Sequence, residues 1–271
     1  MNYNRLTQLI QEKKSLVCVG LDTDLALIPT HLLQYEDPIF EFNKEIIDAT
    51  IDIAVAYKPN IAFYEAQGLK GWESLEKTMQ YLALFKDKAF TIADAKRGDI
   101  GNTSKMYAKS FFEKMDFDAI TVAPYMGKDS VMPFLEYHDK WVIVLGLTSN
   151  SGSADFQLLT VNEKPLYQEV IAKAATWATH ENMMFVVGAT HPELFAAIRK
   201  IVPQHFLLVP GVGAQGGDLA GVCAHGKNEV GGLLINSTRQ IIYASKEKDF
   251  AQVARTQAIS LKEQIQKNIA L

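Results

Sequence analysis

The most informative stretch of the chain is Ala89-Phe-Thr-Ile-Ala-Asp-Ala-Lys-Arg-Gly-Asp-Ile-Gly-Asn-Thr103. Its apolar beginning, residues 89–93, predicts a buried strand. The residues that follow the whole stretch, 104–114, have a helical pattern. Asp94 and Lys96 are two residues apart, so on a continuing strand their side chains point to the same face. We therefore expect a carboxylate and an ammonium group side by side at the strand's end, with Asp99 just beyond. From these residues alone, a purely structural ion pair is an equally good interpretation.

Similar apolar runs recur along the whole chain, separated by longer amphipathic stretches. They are nearly continuous in Val, Ile, Leu and Phe, which is typical of parallel strands buried on both faces. The predicted strands are residues 15–22, 53–60, 90–96, 119–123, 141–149, 184–190, 206–213 and 232–238.

The segments between these runs have apolar residues at three-to-four spacing, which predicts helices. The clearest are residues 40–51, 72–85, 107–115, 167–179, 192–201 and 250–269. Eight strand-and-helix units predict an α/β fold of the (β/α)8 TIM-barrel type, a parallel eight-stranded barrel with an outer ring of helices. An open, doubly wound sheet is the alternative. No linker interrupts the series, so we expect residues 1–271 to form a single domain.

Composition and charge exclude several classes of protein. The net charge is −4 and the isoelectric point is near 5.9, which argues against a broad nucleic-acid-binding surface. The chain begins without the apolar core of a signal peptide, and no apolar run approaches the ~20 residues of a membrane span. We therefore expect a cytoplasmic protein, with Cys18 and Cys223 as buried, reduced thiols. The histidines lack the spacing of a structural zinc site.

Ionisable or polar residues stand at several predicted strand ends. In a barrel of this type, chemistry is located at the C-terminal ends of the strands. Because charge is costly to bury without a partner, several converging ionisable groups indicate a site in which each is paired. The residues at these ends are Asp22, Lys58, Asp94, Lys96, Ser149 and Arg239, and the seventh strand ends in the segment that begins at Pro210.

The last two strand ends have features of a phosphate site. The seventh strand runs into Pro210-Gly-Val-Gly-Ala-Gln-Gly-Gly217, where the glycines let backbone N–H groups approach an anion. The eighth strand is followed by Arg239, whose guanidinium matches phosphate oxygens. Loops after strands seven and eight are the usual phosphate site of this barrel. A glycine-rich turn beside a solvated arginine is the plainer alternative.

The glycine-rich loop also matches the dinucleotide pattern G-x-G-x-x-G over residues 211–216. This match is weak because it lies on the penultimate strand and does not open a Rossmann unit. The next strand ends in Asn236 and Ser237, where a dinucleotide site would have an acidic residue. We therefore do not expect dinucleotide binding.

With these residues assembled, the chain resembles the orotidine 5′-phosphate decarboxylase family, in particular its bacterial type 2 subgroup. The resemblance extends over nearly the whole chain. It rests on six motifs in the same order: Val19-Gly-Leu-Asp22, Ala56-Tyr-Lys-Pro-Asn60, Asp94-Ala-Lys-Arg-Gly-Asp-Ile-Gly-Asn-Thr103, Leu147-Thr-Ser-Asn150, residues 210–217 and Asn236-Ser-Thr-Arg239.

The resemblance implies a TIM-barrel homodimer that converts orotidine 5′-phosphate to UMP and carbon dioxide without metal or organic cofactor. Lys96 then matches the proton donor, and Asp94 would hold it and lie against the substrate carboxylate. Lys58 and Asp99 would complete an array of alternating charges. Asp99 and Thr103 would reach across the dimer into the partner's site.

The resemblance also implies the substrate-binding residues. Asp22 and Lys58 would hydrogen-bond the ribose hydroxyls, and Ser149 would contact the pyrimidine edge. Gln215 would bridge the phosphate and the base region, and Arg239 would pair with the phosphate. Pro210, Gly216 and Gly217 of the same glycine-rich loop would also contact the substrate. Residues 149–163 are a candidate lid. The alternative is that this segment is only a flexible connection between neighbouring elements. Neither nucleic acid nor membrane is expected as a partner.

Two other functions are alternatives to this one. Magnesium-dependent sugar-phosphate enzymes of the same superfamily share the Asp-x-Lys-x-x-Asp pattern but have a glutamate ligand at the end of the second strand. Here that position is Lys58, whose ammonium group would repel the cation. A non-catalytic, nucleotide-binding barrel is the alternative from a different class, although Asp94 and Lys96 are both present.

Overall fold

A computed structural model of the chain describes residues 1–212 and 217–269. Eight parallel strands each pair with their neighbours in sequence, and the first also pairs with the eighth, so the sheet closes into a barrel. The strands are Val17–Leu21, Ala56–Pro59, Phe90–Arg97, Ala119–Val122, Trp141–Leu147, Met183–Val187, Phe206–Val209 and Leu233–Ser237. The closed barrel confirms the predicted fold class and is incompatible with an open sheet.

Helices precede the first strand, occupy the connections between the strands and follow the eighth strand. The α-helices are Tyr3–Lys13, Pro38–Thr50, Ile61–Glu65, Gly68–Ala83, Gly101–Ala108, Lys128–Leu135, Ser153–Phe156, Leu166–Ala174, Phe195–Ile201, Leu219–Gly226, Arg239–Ile242 and Phe250–Gln266. Shorter pieces are the 3-10 helices Thr30–Gln34 and Pro192–Leu194, the π-helix Lys109–Lys114, and a hairpin of Thr160–Val161 with Lys164–Pro165. Within the described ranges, no helix is both long and apolar enough to cross a membrane.

The helix Pro38–Thr50 shows how the sequence specifies an element of the outer ring. The Asp37 side chain caps its first turn by accepting the Phe40 N–H at 3.0 Å, and Pro38 takes the first helical position, where its fixed φ is favourable. The residues that it buries recur at helical spacing and form one face, and they are Ile39, Phe42, Asn43, Ile46, Ile47 and Thr50.

The strands are buried on both faces, as their apolar sequences predict. Every residue of Val17–Leu21 and of Leu233–Ser237 is buried. One side of each strand faces the barrel interior and the other faces the helices, so no solvent-facing side remains. This packing holds the C-terminal strand ends at fixed positions relative to one another.

Candidate active site

A cavity of about 370 Å³ opens at the C-terminal ends of the strands. Its lining includes five of the predicted site residues: Asp22, Lys58, Asp94, Pro210 and Arg239. They come from the ends of the first, second, third, seventh and eighth strands. The closed barrel brings them together because the ends of its parallel strands meet at one face.

Asp94 and Lys96 lie side by side at this face, as predicted, but not on a regular strand. The register between the third and fourth strands shifts between Ala93 and Arg97, which marks a bulge in the third strand. Lys96 has a φ of 47°, in the left-handed region. From there its Nζ donates to Asp94 Oδ1 at 2.6 Å. The pair is thus formed by a bulge that turns Lys96 back towards Asp94.

Lys58 contacts the other oxygen of Asp94. Its Nζ donates to Asp94 Oδ2 at 2.9 Å and lies 3.7 Å from Asp22 Oδ1. The Lys58 side chain is only 4% exposed, whereas that of Lys96 is 52% exposed. The carboxylate of Asp94 therefore lies between a buried and an accessible ammonium group.

The charges in this cluster keep one another ionised. Burial alone would raise the pKa of Asp94, but the ammonium groups of Lys58 and Lys96 outweigh it and hold that pKa well below its usual range. Burial alone would lower the pKa of Lys58, but the carboxylates of Asp94 and Asp22 raise it above its usual value. Both members of the buried pair are therefore charged across the physiological pH range.

Asp22 has an oxygen that this cluster does not satisfy. Among the described residues, its Oδ1 atom is buried and has no hydrogen-bond partner, since Lys58 Nζ is too far away for one. A buried acceptor without a donor is unfavourable by about 1–3 kcal/mol. The atom belongs to a residue that lines the cavity, so a hydroxyl donor bound there would remove this cost.

The predicted phosphate site is described in part. Gly217 pairs with Val212 and its N–H donates to the Gly211 carbonyl at 3.3 Å, so the two ends of the glycine-rich loop are joined. Arg239 begins the helix Arg239–Ile242, is exposed and lines the cavity together with Pro210 and Gly211. Gln215 and Gly216 lie outside the described residues, as does the predicted end of the seventh strand at residue 213.

Five predicted site residues that the structure describes do not belong to the cavity lining, and they are Lys96, Asp99, Thr103, Ser149 and Gly217. Asp99 is half-buried and accepts the N–H of Ile100 at 2.7 Å, and Thr103 is exposed on the helix Gly101–Ala108. Ser149 is half-buried after the fifth strand. It packs so closely on Gly188 that a Cβ at residue 188 would lie 2.7 Å from Ser149 atoms.

The candidate lid, residues 149–163, contains the short helix Ser153–Phe156 and half of the small hairpin. Gln157 anchors it to the end of the fifth strand. The Thr148 N–H donates to Gln157 Oε1 at 2.7 Å, and Gln157 Nε2 donates to Thr148 Oγ1 at 2.8 Å. The segment therefore has ordered contacts with the barrel.

Two residues at the site were not assigned a role from the sequence. Thr121, on the fourth strand, contacts both Asp94 and Lys96. Tyr243, which lines the cavity, hydrogen-bonds the backbone of Asp22 and Asp24. The only sequence feature that points to a role for Thr121 is that it is a polar residue on a predicted strand. No sequence feature points to Tyr243.

The residue types at the cavity also bear on metal binding. Among residues 1–212 and 217–269, no group of three or more His, Cys, Asp or Glu side chains is arranged to hold a metal ion. Two carboxylates of the cavity, Asp22 and Asp94, are instead close to the ammonium group of Lys58.

Comparison with known proteins identifies the family. Residues 15–254 match the model of the orotidine 5′-phosphate decarboxylase / HUMPS family. The chain belongs to this family. A decarboxylase-family relative from Flavobacterium johnsoniae, named orotidine 5′-phosphate decarboxylase, is 59% identical over 265 residues, which is 98% of this chain and 97% of that protein. The family predicted from the six motifs is thus confirmed.

Solved structures of decarboxylase-family relatives have the same fold. The chain matches the structure of Leishmania donovani OMP decarboxylase with a TM-score of 0.85 and 36% identity, over 98% of both chains. It matches Leishmania donovani UMP synthase with a TM-score of 0.86 and 38% identity, over 97% of this chain but only 55% of that one. The match therefore covers about half of the UMP synthase chain.

Proposed function

We propose that the chain is an orotidine 5′-phosphate decarboxylase that forms UMP and carbon dioxide in pyrimidine nucleotide synthesis, with Lys96 as the proton donor. The family match and the 59% identical relative support the activity, which is that of a carboxy-lyase. One observation carries the mechanism: both oxygens of Asp94 are engaged by ammonium groups, Oδ1 by Lys96 and Oδ2 by Lys58.

The reaction requires a cation at the reacting carbon. When the bond from C6 to the carboxylate breaks, its electron pair remains on C6 and carbon dioxide departs. The pyrimidine offers no conventional electron sink for this pair, so a fixed positive charge nearby stabilises the transition state. The half-exposed ammonium group of Lys96 is suited to this role. Its N–H bond then breaks as the C6–H bond forms, which leaves UMP and a neutral lysine.

Asp94 has two functions in this proposal. Its ion pair orients the Lys96 ammonium, and its own negative charge would lie against the substrate carboxylate, which disfavours the charged ground state. Both functions need an ionised Asp94. Lys58 secures this, because it is buried and donates to Asp94 Oδ2 at 2.9 Å.

The substrate would be bound along the cavity. Asp22 and Lys58 would contact the ribose hydroxyls. Asp22 Oδ1, which has no hydrogen-bond partner among the described residues, supports this assignment because a hydroxyl could donate to it. Arg239 and the loop with Pro210, Gln215, Gly216 and Gly217 would bind the phosphate. Ser149 would contact the pyrimidine.

The proposal includes a homodimer in the cytoplasm, without nucleic acid or membrane as a partner, and a catalytic domain that spans residues 1–271. Asp99 and Thr103 would serve the partner's site. Both are at least partly solvent-accessible and lie outside the cavity lining of their own chain, which is compatible with this role.

Phosphate binding would also help catalysis at a distance. The phosphate is remote from C6, so its binding energy is available to close the loop at residues 210–217 and the lid at residues 149–163 around the substrate. Closure would remove water from the charged cluster and strengthen its electrostatic interactions.

The decisive experiment is an assay of orotidine 5′-phosphate decarboxylation by the purified chain in EDTA, followed by the loss of the substrate's ultraviolet absorbance. We expect rapid turnover that added magnesium does not increase. Activity only on a sugar phosphate with magnesium would replace the proposal with the metal-dependent function. Binding of UMP without turnover of either substrate would indicate a non-catalytic barrel.

A further inference from the structure

The hydroxyl of Thr121 connects the two charged residues of the third strand. Thr121 lies on the fourth strand and is 1% exposed. Its Oγ1 donates to Asp94 Oδ1 at 3.1 Å and accepts the backbone N–H of Lys96 at 2.9 Å. The same Asp94 oxygen receives the ammonium group of Lys96. One side chain thus contacts the carboxylate of the first residue and the main chain of the second.

The bulge in the third strand explains why this hydroxyl is needed. Around Lys96 the register with the fourth strand shifts, so its N–H bonds a side chain in place of a strand carbonyl. Lys96 also has a left-handed backbone with a φ of 47°, which is unfavourable for a residue with a Cβ. The hydrogen bond to Thr121 offsets part of this cost and holds the bulge in one conformation.

We propose that Thr121 is a positioning residue for decarboxylation, which fixes the Asp94 carboxylate and the Lys96 backbone relative to each other. The inference rests on the proposed function of the site. Thr121 does not belong to the cavity lining in the described part of the chain, so it acts through these two residues. Without the hydroxyl of Thr121, Asp94 loses a hydrogen-bond donor, and the Lys96 N–H in the bulge loses its acceptor. The Lys96 ammonium then occupies a wider range of positions around C6, and small misplacements of reacting groups slow reactions strongly.

The test compares Thr121→Val with the wild-type chain. Valine keeps the shape of threonine but has no hydroxyl. We expect kcat to fall ~10-fold to ~100-fold, the usual effect of losing a hydrogen bond to a charged group. KM and the Kd for UMP should stay within about threefold, because Asp22 and Arg239 are untouched. Thr121→Ser restores the hydroxyl and should recover most of kcat.

Thr91→Val is a matched control. Thr91 makes the same kind of bridge nearer the start of the third strand: its Oγ1 donates to Asp118 Oδ2 at 3.0 Å and accepts the Asp118 N–H at 2.9 Å. It is also buried. Its loss should lower the melting temperature about as much as the loss at Thr121, yet leave kcat unchanged.

The outcomes separate this proposal from the function on which it rests. A wild-type chain that does not decarboxylate orotidine 5′-phosphate would refute the proposed function. An active wild type with full kcat in Thr121→Val would overturn the role of Thr121 alone. An equal loss of kcat in Thr91→Val, or no recovery in Thr121→Ser, would also overturn it. Should Thr121→Val not fold, Thr121→Ala replaces it under the same criteria.

Discussion

Tyr243 is hydrogen-bonded to the main chain at Asp22. Its hydroxyl donates to the Asp22 carbonyl at 2.8 Å and accepts the Asp24 N–H at 2.7 Å. Because Tyr243 directly follows the helix that begins with Arg239, this contact joins the proposed phosphate end of the cavity to the proposed ribose end. The two ends are thereby held at a fixed separation.

Tyr243→Phe should weaken nucleotide binding. The substitution removes only the hydroxyl, since the ring can keep its stacking on Phe42 at a centroid distance of 5.8 Å. Two hydrogen bonds at the end of the first strand are lost, so Asp22 is less well positioned. We expect the KM for orotidine 5′-phosphate to rise ~3-fold to ~10-fold, with a smaller effect on kcat. Steady-state kinetics test this, and a KM equal to that of the wild type would contradict it.

Lys96→Ala should abolish most turnover. It removes the proposed proton donor and the cation next to C6, while the residues proposed to bind ribose and phosphate remain. We expect kcat to fall by at least ~1,000-fold, with UMP still bound. Single-turnover kinetics and calorimetric titration with UMP measure the two effects. Full activity of this variant would refute the proton-donor assignment.

Arg239→Ala should weaken substrate binding and slow decarboxylation without altering the fold. Arg239 is exposed and lies at the cavity, so its removal should weaken the proposed phosphate binding without a loss of core packing. We expect kcat/KM to fall ~100-fold or more and the melting temperature to stay within about 2 °C. Lys248→Ala, which removes an exposed positive charge outside the cavity lining, is the control. An equal loss of kcat/KM in Arg239→Ala and Lys248→Ala would contradict the prediction, because it would show only a general effect of positive charge.

His205 should make the protein less stable in mild acid. Burial, together with the nearby His180 and Arg199, lowers the pKa of His205 to about 4. Neither of its ring nitrogens has a hydrogen-bond partner among the residues that the structure covers. The unfolded chain binds this proton near pH 6.5, so the free energy of unfolding falls from about pH 6.5 to about pH 4, by up to roughly 3 kcal/mol.

Chemical denaturation at a series of pH values tests the role of His205. His205→Phe cannot be protonated and suits a site where the ring packs 5.5 Å from Phe185. Its stability should therefore depend less on pH between about 4 and 6.5. His225→Asn changes an exposed histidine and should retain the wild-type slope. Identical slopes for wild type and His205→Phe would show that another group causes the acid sensitivity.

The barrel was predictable from the sequence because its strands are buried on both faces. Such strands are apolar throughout and can be counted along the chain, as for residues 90–96 and the observed Phe90–Arg97. The ends of the strands were less predictable. The second strand was predicted at residues 53–60 but is observed at Ala56–Pro59, because apolar character does not show where strand pairing begins and ends. The helix Lys128–Leu135 was not predicted, because Pro133 interrupts its pattern.

Part of the site was also predictable. Charged residues directly after apolar strands can be identified in the sequence, and barrel closure must bring those strand ends together, which is why Asp22, Lys58 and Asp94 were expected to converge. The resemblance of the six motifs additionally predicted the family and the substrate. The positions of Asp99 and Thr103 in a dimer stay predictions.

The contacts that depend on distant parts of the chain could be learned only from the tertiary structure. Thr121 contacts Asp94 across 27 residues, and Tyr243 contacts Asp22 across 221. Residue types and local periodicity show which segments become strands and which residues stand at their ends. Residue types and periodicity do not indicate the register of the bulge at Lys96 or the direction of the Thr121 hydroxyl. Both are set by the packing of neighbouring strands and helices against each other.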